Sequence, residues 1–176
     1  MAIAEPTRPS PVDVSEEVDD SAILDAYSAA VSAVAEALIP SVPFFPGARE
    51  LVRSLAREVP VGIASGALRA EIEAILRGGG LLDSFAAVVG ADDVTQGKPH
   101  PEPYLTAMAR LGPGLDPAEC VVFEDSMPGV AAARAAGMKV VAVTNSFPRA
   151  KLSAADRVVD SLAGLEPATL RALFDR

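Results

Sequence analysis

Apolar and polar positions follow two periods along the chain. Leu24, Tyr27, Val31, Val34 and Leu38 recur at three- and four-residue steps, which predicts an amphipathic helix closed by Pro40. "PFFPG" (43–47) is a linker, and Gly47 to Arg57 predicts a second helix. Then the period changes. "VPVGIAS", "FAAVVGADD", "ECVVFEDS", "MKVVAVTNS" and the shorter "DRVVDSL" are apolar runs of strand length. Among them, "ALRAEIEAILRGGG", "PEPYLTAMARLG", "MPGVAAARAAG" and "EPATLRALFDR" carry helical spacing, the first closed by glycines. Strands apolar throughout, alternating with helices, specify an α/β fold with a doubly wound, mostly parallel sheet and helices on both faces. Pro6, Pro9 and Pro11 and the lack of apolar spacing mark residues 1–19 as a disordered or loosely docked tail.

In such sheets ligands bind beyond the carboxyl ends of the strands. The polar residues ending these strands are Ser65 and Gly66, Asp92 and Asp93, Glu124 and Asp125, and Thr144 and Asn145. Any one of them serves equally as a turn residue or helix cap; several meeting at one edge point to a site. Glu124 and Asp125 follow an apolar run, so two carboxylates are held close in partial burial. They repel unless a cation or protons intervene. Mg²⁺, which takes one or two carboxylates and keeps waters and a substrate phosphate, is the natural solution. Lys98 sits in a loop stiffened by Pro99, Pro101 and Pro103. Held that rigidly, it suits charge compensation of a phosphoryl group or carboxylate, with a solvated loop lysine as the alternative.

Composition narrows the classes. At 176 residues the chain fits one domain, with or without an appendage. A net charge of −9 argues against nucleic acid or an anionic membrane as partner, though a phosphorylated small molecule stays compatible with a local basic site. Cys120 is the single cysteine, which excludes an internal disulfide and suits a reducing compartment; its apolar strand makes it a small buried hydrophobe. No apolar run reaches the ~18 residues of a membrane span, and the start lacks a signal-peptide pattern. A soluble cytoplasmic protein is expected. His100 is the only histidine, so no histidine triad or zinc cluster can be built; between two prolines it is expected to be exposed. Asp92 and Asp93 could approach the site edge or act as caps, Asn145 and Ser146 could line it, and Arg69 reads as a solvated first-turn residue.

These residues carry a resemblance. The chain resembles the haloacid dehalogenase-like (HAD) hydrolase superfamily, in the group of β-phosphoglucomutase and small sugar-phosphate phosphatases. "FFPGARELVRSL" resembles the entry into the core after the cap, "VGIASGA" the second motif with Ser65, and "GKPHPEPY" the third with Lys98. "VVFEDSMPGVAAARAAGMKVVAV" matches the fourth, with Glu124 and Asp125 as its acidic pair. The resemblance runs from about Phe44 to Phe147. It implies a Rossmann-like HAD core over 44–176 and makes the helix at 20–40 a remnant of an α-helical cap. It also implies hydrolysis or transfer of a phosphoryl group of a small phosphorylated metabolite through an aspartyl-phosphate. Ser65 and Gly66 would bind the phosphoryl oxygens, Lys98 would neutralise charge, and Glu124 and Asp125 would bind Mg²⁺ directly or through water.

One part of the pattern is not found. The family's first motif, a strand ending in Asp-x-Asp-Gly-Thr, supplies the nucleophile and the general acid/base and lies centrally, between the strands of Ser65 and Asp125. The nearest string, "PVDVSEEVDD", has no apolar strand before Asp13 and no Gly-Thr after it. The chain is therefore expected to be truncated, and inactive if nothing replaces the motif. Three explanations stay open: a misplaced start or fragmentary gene, a non-catalytic phosphate- or metal-binding scaffold, or a strand supplied by a partner chain. Loss of a central strand would leave unpaired ladder groups on its neighbours, and such an edge favours self-association. The substrate is not legible, because cap residues choose it in this family.

Overall fold

The computed structural model describes residues 43–174; the tail and the helix expected over 20–40 lie outside the described residues. In chain order the elements are α1 (Ala48–Leu55), β1 (Gly62–Ala64), α2 (Arg69–Gly78), β2 (Ala87–Val89), α3 (Glu102–Leu111), β3 (Val121–Glu124), α4 (Met127–Ala135), β4 (Lys139–Val143), β5 (Arg157–Val159) and α5 (Pro167–Arg171). Every strand pair is parallel. The strand expected to run on to Asp93 stops earlier, and Ala91–Asp93 form a 3-10 turn. There the Asp93 carboxylate accepts the Gly90 N–H at 2.8 Å, a local bond that competes with ladder pairing.

β4 shows how the two faces are filled. Val140 and Ala142 face a core shared with Tyr104 of α3 and Val130 and Ala133 of α4. Val141 points the other way, toward Leu51 of α1 and Leu170 of α5. All three β4 residues are fully buried, and burying a valine completely stabilises by roughly 1.5–3 kcal/mol. The alanines of α4 let it lie close to the sheet, with Ala132 and Ala133 also fully buried. α4 begins at Ser126, whose Oγ accepts the Gly129 N–H at 3.1 Å, with Pro128 in its first turn. The result is a parallel α/β fold with helices on both faces.

The sheet is divided. Among the described residues β1 pairs only with β2, setting Gly62, Ile63 and Ala64 opposite Ala87, Val88 and Val89. β3, β4 and β5 form a second sheet. β1 and β3 share no ladder, and between them runs a slot of about 950 Å³ lined by Ile63 and Ala64 on one side and Val122 and Phe123 on the other. Three further residues lining it, Phe45, Val59 and Phe174, are 50%, 51% and 37% exposed.

Candidate active site

Ser65, Lys98, Glu124 and Asp125 all line this slot, and three of the four stand where a strand ends. Ser65 follows β1, its N–H held by the Val89 carbonyl at 3.0 Å. Its Oγ accepts the Ala67 N–H at 3.2 Å, a local turn bond. The hydroxyl's own hydrogen has no acceptor among the described residues. Gly66, next along, is exposed with open space where a side chain would stand, so backbone there is accessible to an anion.

Glu124 ends β3 and is the one buried charged side chain among the described residues. Its carboxylate is completely engaged. Oε1 accepts from Lys98 Nζ at 2.5 Å and from the Tyr104 hydroxyl at 2.7 Å. Oε2 accepts from the Asp125 N–H at 2.9 Å, the Ser126 N–H at 2.9 Å and Ser126 Oγ at 2.8 Å. Burial alone would raise its pKa, but Lys98, Tyr104 and Ser126 outweigh it and hold the carboxyl below its ordinary value. Burial pushes the Tyr104 hydroxyl up, and Glu124 pushes it further, so this hydroxyl stays a donor. Gly129 completes the arrangement: a methyl group on it would overlap the Glu124 carboxylate.

Asp125, one residue on, is only partly buried. Its Oδ2 accepts from Ser146 Oγ, and its Oδ1 has no hydrogen-bond partner among the described residues. Oxygen donors of this kind suit a hard cation that keeps most of its waters. Asp125 presents a free oxygen, whereas Glu124 has its oxygens filled. The described residues contain no group of three or more His, Cys, Asp or Glu side chains that could hold a metal ion by themselves.

Other expectations fare differently. Thr144 turns to Asp160 at 3.1 Å, while Asn145 lines the slot and Ser146 holds Asp125. Asp92 and Asp93 act as clamps outside the slot. Asp92 accepts the Arg69 N–H at 2.8 Å. Asp93 takes Arg110 at 2.7 Å and Arg69 at 2.5 Å, and the Arg110 bond is the main cause of a carboxyl held well below the usual range. Arg69 is therefore a paired residue, not the solvated one expected. His100 is half exposed and accepts the Glu102 N–H at 3.2 Å. Cys120 is partly buried, and burial raises its thiol pKa. The sequence reading missed Tyr104 and Ser126. A tyrosine among the apolar positions of "PEPYLTAMARLG" carries the available signal, since a buried hydroxyl needs a partner.

Comparison with known proteins accords with this geometry. The model of the haloacid dehalogenase-like hydrolases matches residues 12–137. The chain is 40% identical over 142 residues to the bifunctional riboflavin kinase/FMN phosphatase of Arabidopsis thaliana, covering 79% of this chain and 37% of that protein. It is 36% identical over 152 residues to protein CbbY of Rhodobacter capsulatus, covering 82% and 65%. The chain thus spans less than two thirds of either relative. The crystal structure of CbbY from Rhodobacter sphaeroides in complex with phosphate superposes with a TM-score of 0.73 at 26% identity, covering 96% of this chain and 73% of that one. With its parallel strands, its polar strand ends and a family match over most of its length, the chain belongs to the haloacid dehalogenase-like hydrolases.

Proposed function

We propose that this chain is a Mg²⁺-dependent phosphohydrolase, a phosphatase or phosphomutase, of small phosphorylated metabolites. One observation carries the reading: a hydroxyl hydrogen without an acceptor among the described residues (Ser65), an ammonium (Lys98) and a carboxylate with an open oxygen (Asp125) line one slot. Phosphoryl transfer needs positioning and charge stabilisation above all. Ser65 and the backbone at Gly66 bind phosphoryl oxygens. Lys98 spends one N–H on Glu124 and keeps the others for the phosphoryl group. Asp125, with its open oxygen, would hold the Mg²⁺, and Glu124, its oxygens already filled, would support it only through water; the ion would supply charge neutralisation at the phosphoryl oxygens. In the reaction a carboxylate oxygen bonds to phosphorus as the ester P–O bond breaks, and the alcohol leaves with a proton from a general acid; water then attacks the aspartyl-phosphate, giving its proton back to that group, and phosphate and the free carboxylate are released. No described residue is assigned the role of that nucleophile.

The same requirement favours a second reading, a non-catalytic phosphate- or metal-binding scaffold that uses Ser65, Lys98 and the acids without turnover. Self-association belongs to either reading, because among the described residues β1 and β3 each have an edge without a ladder partner, beside the exposed Phe45, Val59 and Phe174. No helix among the described residues is long and apolar enough to cross a membrane, and a cytoplasmic setting suits the single free thiol of Cys120. The deciding experiment is phosphate release from a panel of phosphomonoesters, with and without Mg²⁺, beside Asp125→Asn. Mg²⁺-dependent turnover lost in the variant supports the enzyme. A folded chain that binds phosphate without turnover supports the scaffold.

A further inference from the structure

Tyr104 has no part in the chemistry above, yet it touches both members of the central ion pair with different atoms. It lies on the first turn of α3 and is 8% exposed. Its hydroxyl donates to Glu124 Oε1 at 2.7 Å, the oxygen that also receives Lys98 Nζ at 2.5 Å. Its ring lies beneath the same ammonium, with Nζ 4.7 Å from the ring centroid. A lysine side chain has much rotamer freedom to lose when it is fixed. A single hydrogen bond leaves the ammonium able to pivot about the carboxylate oxygen. The ring face adds a second point of attraction, and the hydroxyl occupies the other lone pair of Oε1, so the ammonium is confined to one approach.

We propose that Tyr104 is a positioning residue that fixes the Lys98 ammonium, through its ring and through its hydroxyl bond to Glu124, with the remaining N–H donors directed at the phosphoryl site. The purpose of that positioning rests on the phosphohydrolase reading; the holding of Lys98 does not. Two substitutions separate the contributions. Tyr104→Phe keeps the ring and removes the hydroxyl, whereas Tyr104→Leu removes both.

The test combines two measurements on the full chain. The first is the Lys98 ammonium signal in a lysine-selective ¹H–¹⁵N spectrum, assigned by its loss in Lys98→Arg. The second is kcat and KM on the best substrate of the phosphomonoester panel. The signal should be sharp in the wild type, weaker in Tyr104→Phe and absent in Tyr104→Leu. kcat should fall about tenfold in Tyr104→Phe, as for loss of one interaction that orients a catalytic group, and further in Tyr104→Leu, with KM within about twofold. Thermal melts confirm folding; if Tyr104→Leu does not fold, Tyr104→Phe decides. An unchanged ammonium signal in a folded variant overturns the proposal. So does lower stability with kcat and KM unchanged, since that marks a merely structural tyrosine. If the wild type releases no phosphate, the phosphohydrolase reading fails, and the ammonium spectrum alone decides whether Tyr104 holds Lys98.

Discussion

Lys98 and Glu124 meet at 2.5 Å across 26 positions of sequence, joining the proline-stiffened loop before α3 to the end of β3. The ammonium side chain is 21% exposed and the carboxylate 7%, so the pair is shielded from solvent yet open toward the slot. Removing one partner of such a pair leaves the other buried and unpaired. Glu124→Gln also places an amide N–H₂ where Glu124 now accepts hydrogen bonds on both oxygens. This variant is expected to lose about 3 kcal/mol of stability, read from urea unfolding. A loss below about 0.5 kcal/mol would show that Gln satisfies the same donors.

Acid should unfold the chain partly through Asp93. Arg110, then Arg69 and the Gly90 N–H, hold its carboxyl well below the ordinary value of 3.8, and Glu124 likewise sits below its ordinary 4.5. As pH falls the unfolded chain takes up these protons first. Their contribution is therefore complete above about pH 4.5 and is lost below it, as pH falls toward the folded values. Urea midpoints of the wild type should be flat from pH 7 to 5 and drop steeply from 4.5 to 3. Asp93→Asn should start from a lower midpoint and drop less steeply. Parallel curves for the two proteins would mean that Asp93 is not a source of the acid sensitivity.

How far the sequence foretold this depends on the kind of signal each residue leaves. The five strands stood out because each is a continuous apolar run, and Ser65, Lys98, Glu124 and Asp125 because they end such runs or sit in a stiff loop. All four line one slot. Tyr104 and Ser126 left no comparable trace, since a tyrosine at helical spacing reads as core and a serine before a helix as a cap. Both are indeed that, packed in the core and capping α4, and both also bind Glu124. The Asp93 clamp was equally hidden, because Arg69 and Arg110 lie on different helices and only packing against β2 brings them to one carboxylate.

Gly129→Ala sets two effects in opposition. Alanine in place of a helical glycine gains about 1 kcal/mol of intrinsic helix propensity. Here the added methyl would occupy the position of the Glu124 carboxylate, and overpacking a filled site costs about 1–3 kcal/mol, with displaced hydrogen bonds adding to it. The net expectation is a loss of about 2 kcal/mol. It should appear with a weakened Lys98 ammonium signal, because Glu124 can move only by giving up partners. Stabilisation instead would show that α4 shifts outward at little cost, and that the carboxylate is less tightly held than its bonds suggest.

Ser146 tests the metal half of the proposed site. Its hydroxyl donates to Asp125 Oδ2, which leaves Oδ1 without a partner among the described residues and open to the proposed ion, so it orients the carboxylate without needing to touch a metal itself. Groups that orient a metal ligand in this way usually matter about 10- to 100-fold in affinity. Ser146→Ala is expected to weaken Mg²⁺ binding about tenfold by calorimetry, with any phosphate release recovered at saturating Mg²⁺. Ser146→Thr, which keeps the hydroxyl, should bind as the wild type does. Because calorimetry needs no turnover, the result speaks to the ion even if the chain is a scaffold. Equal Mg²⁺ affinity in the alanine variant would remove Ser146 from the site. No Mg²⁺ heat in the wild type would mean that Asp125 and Glu124 do not hold the ion by themselves.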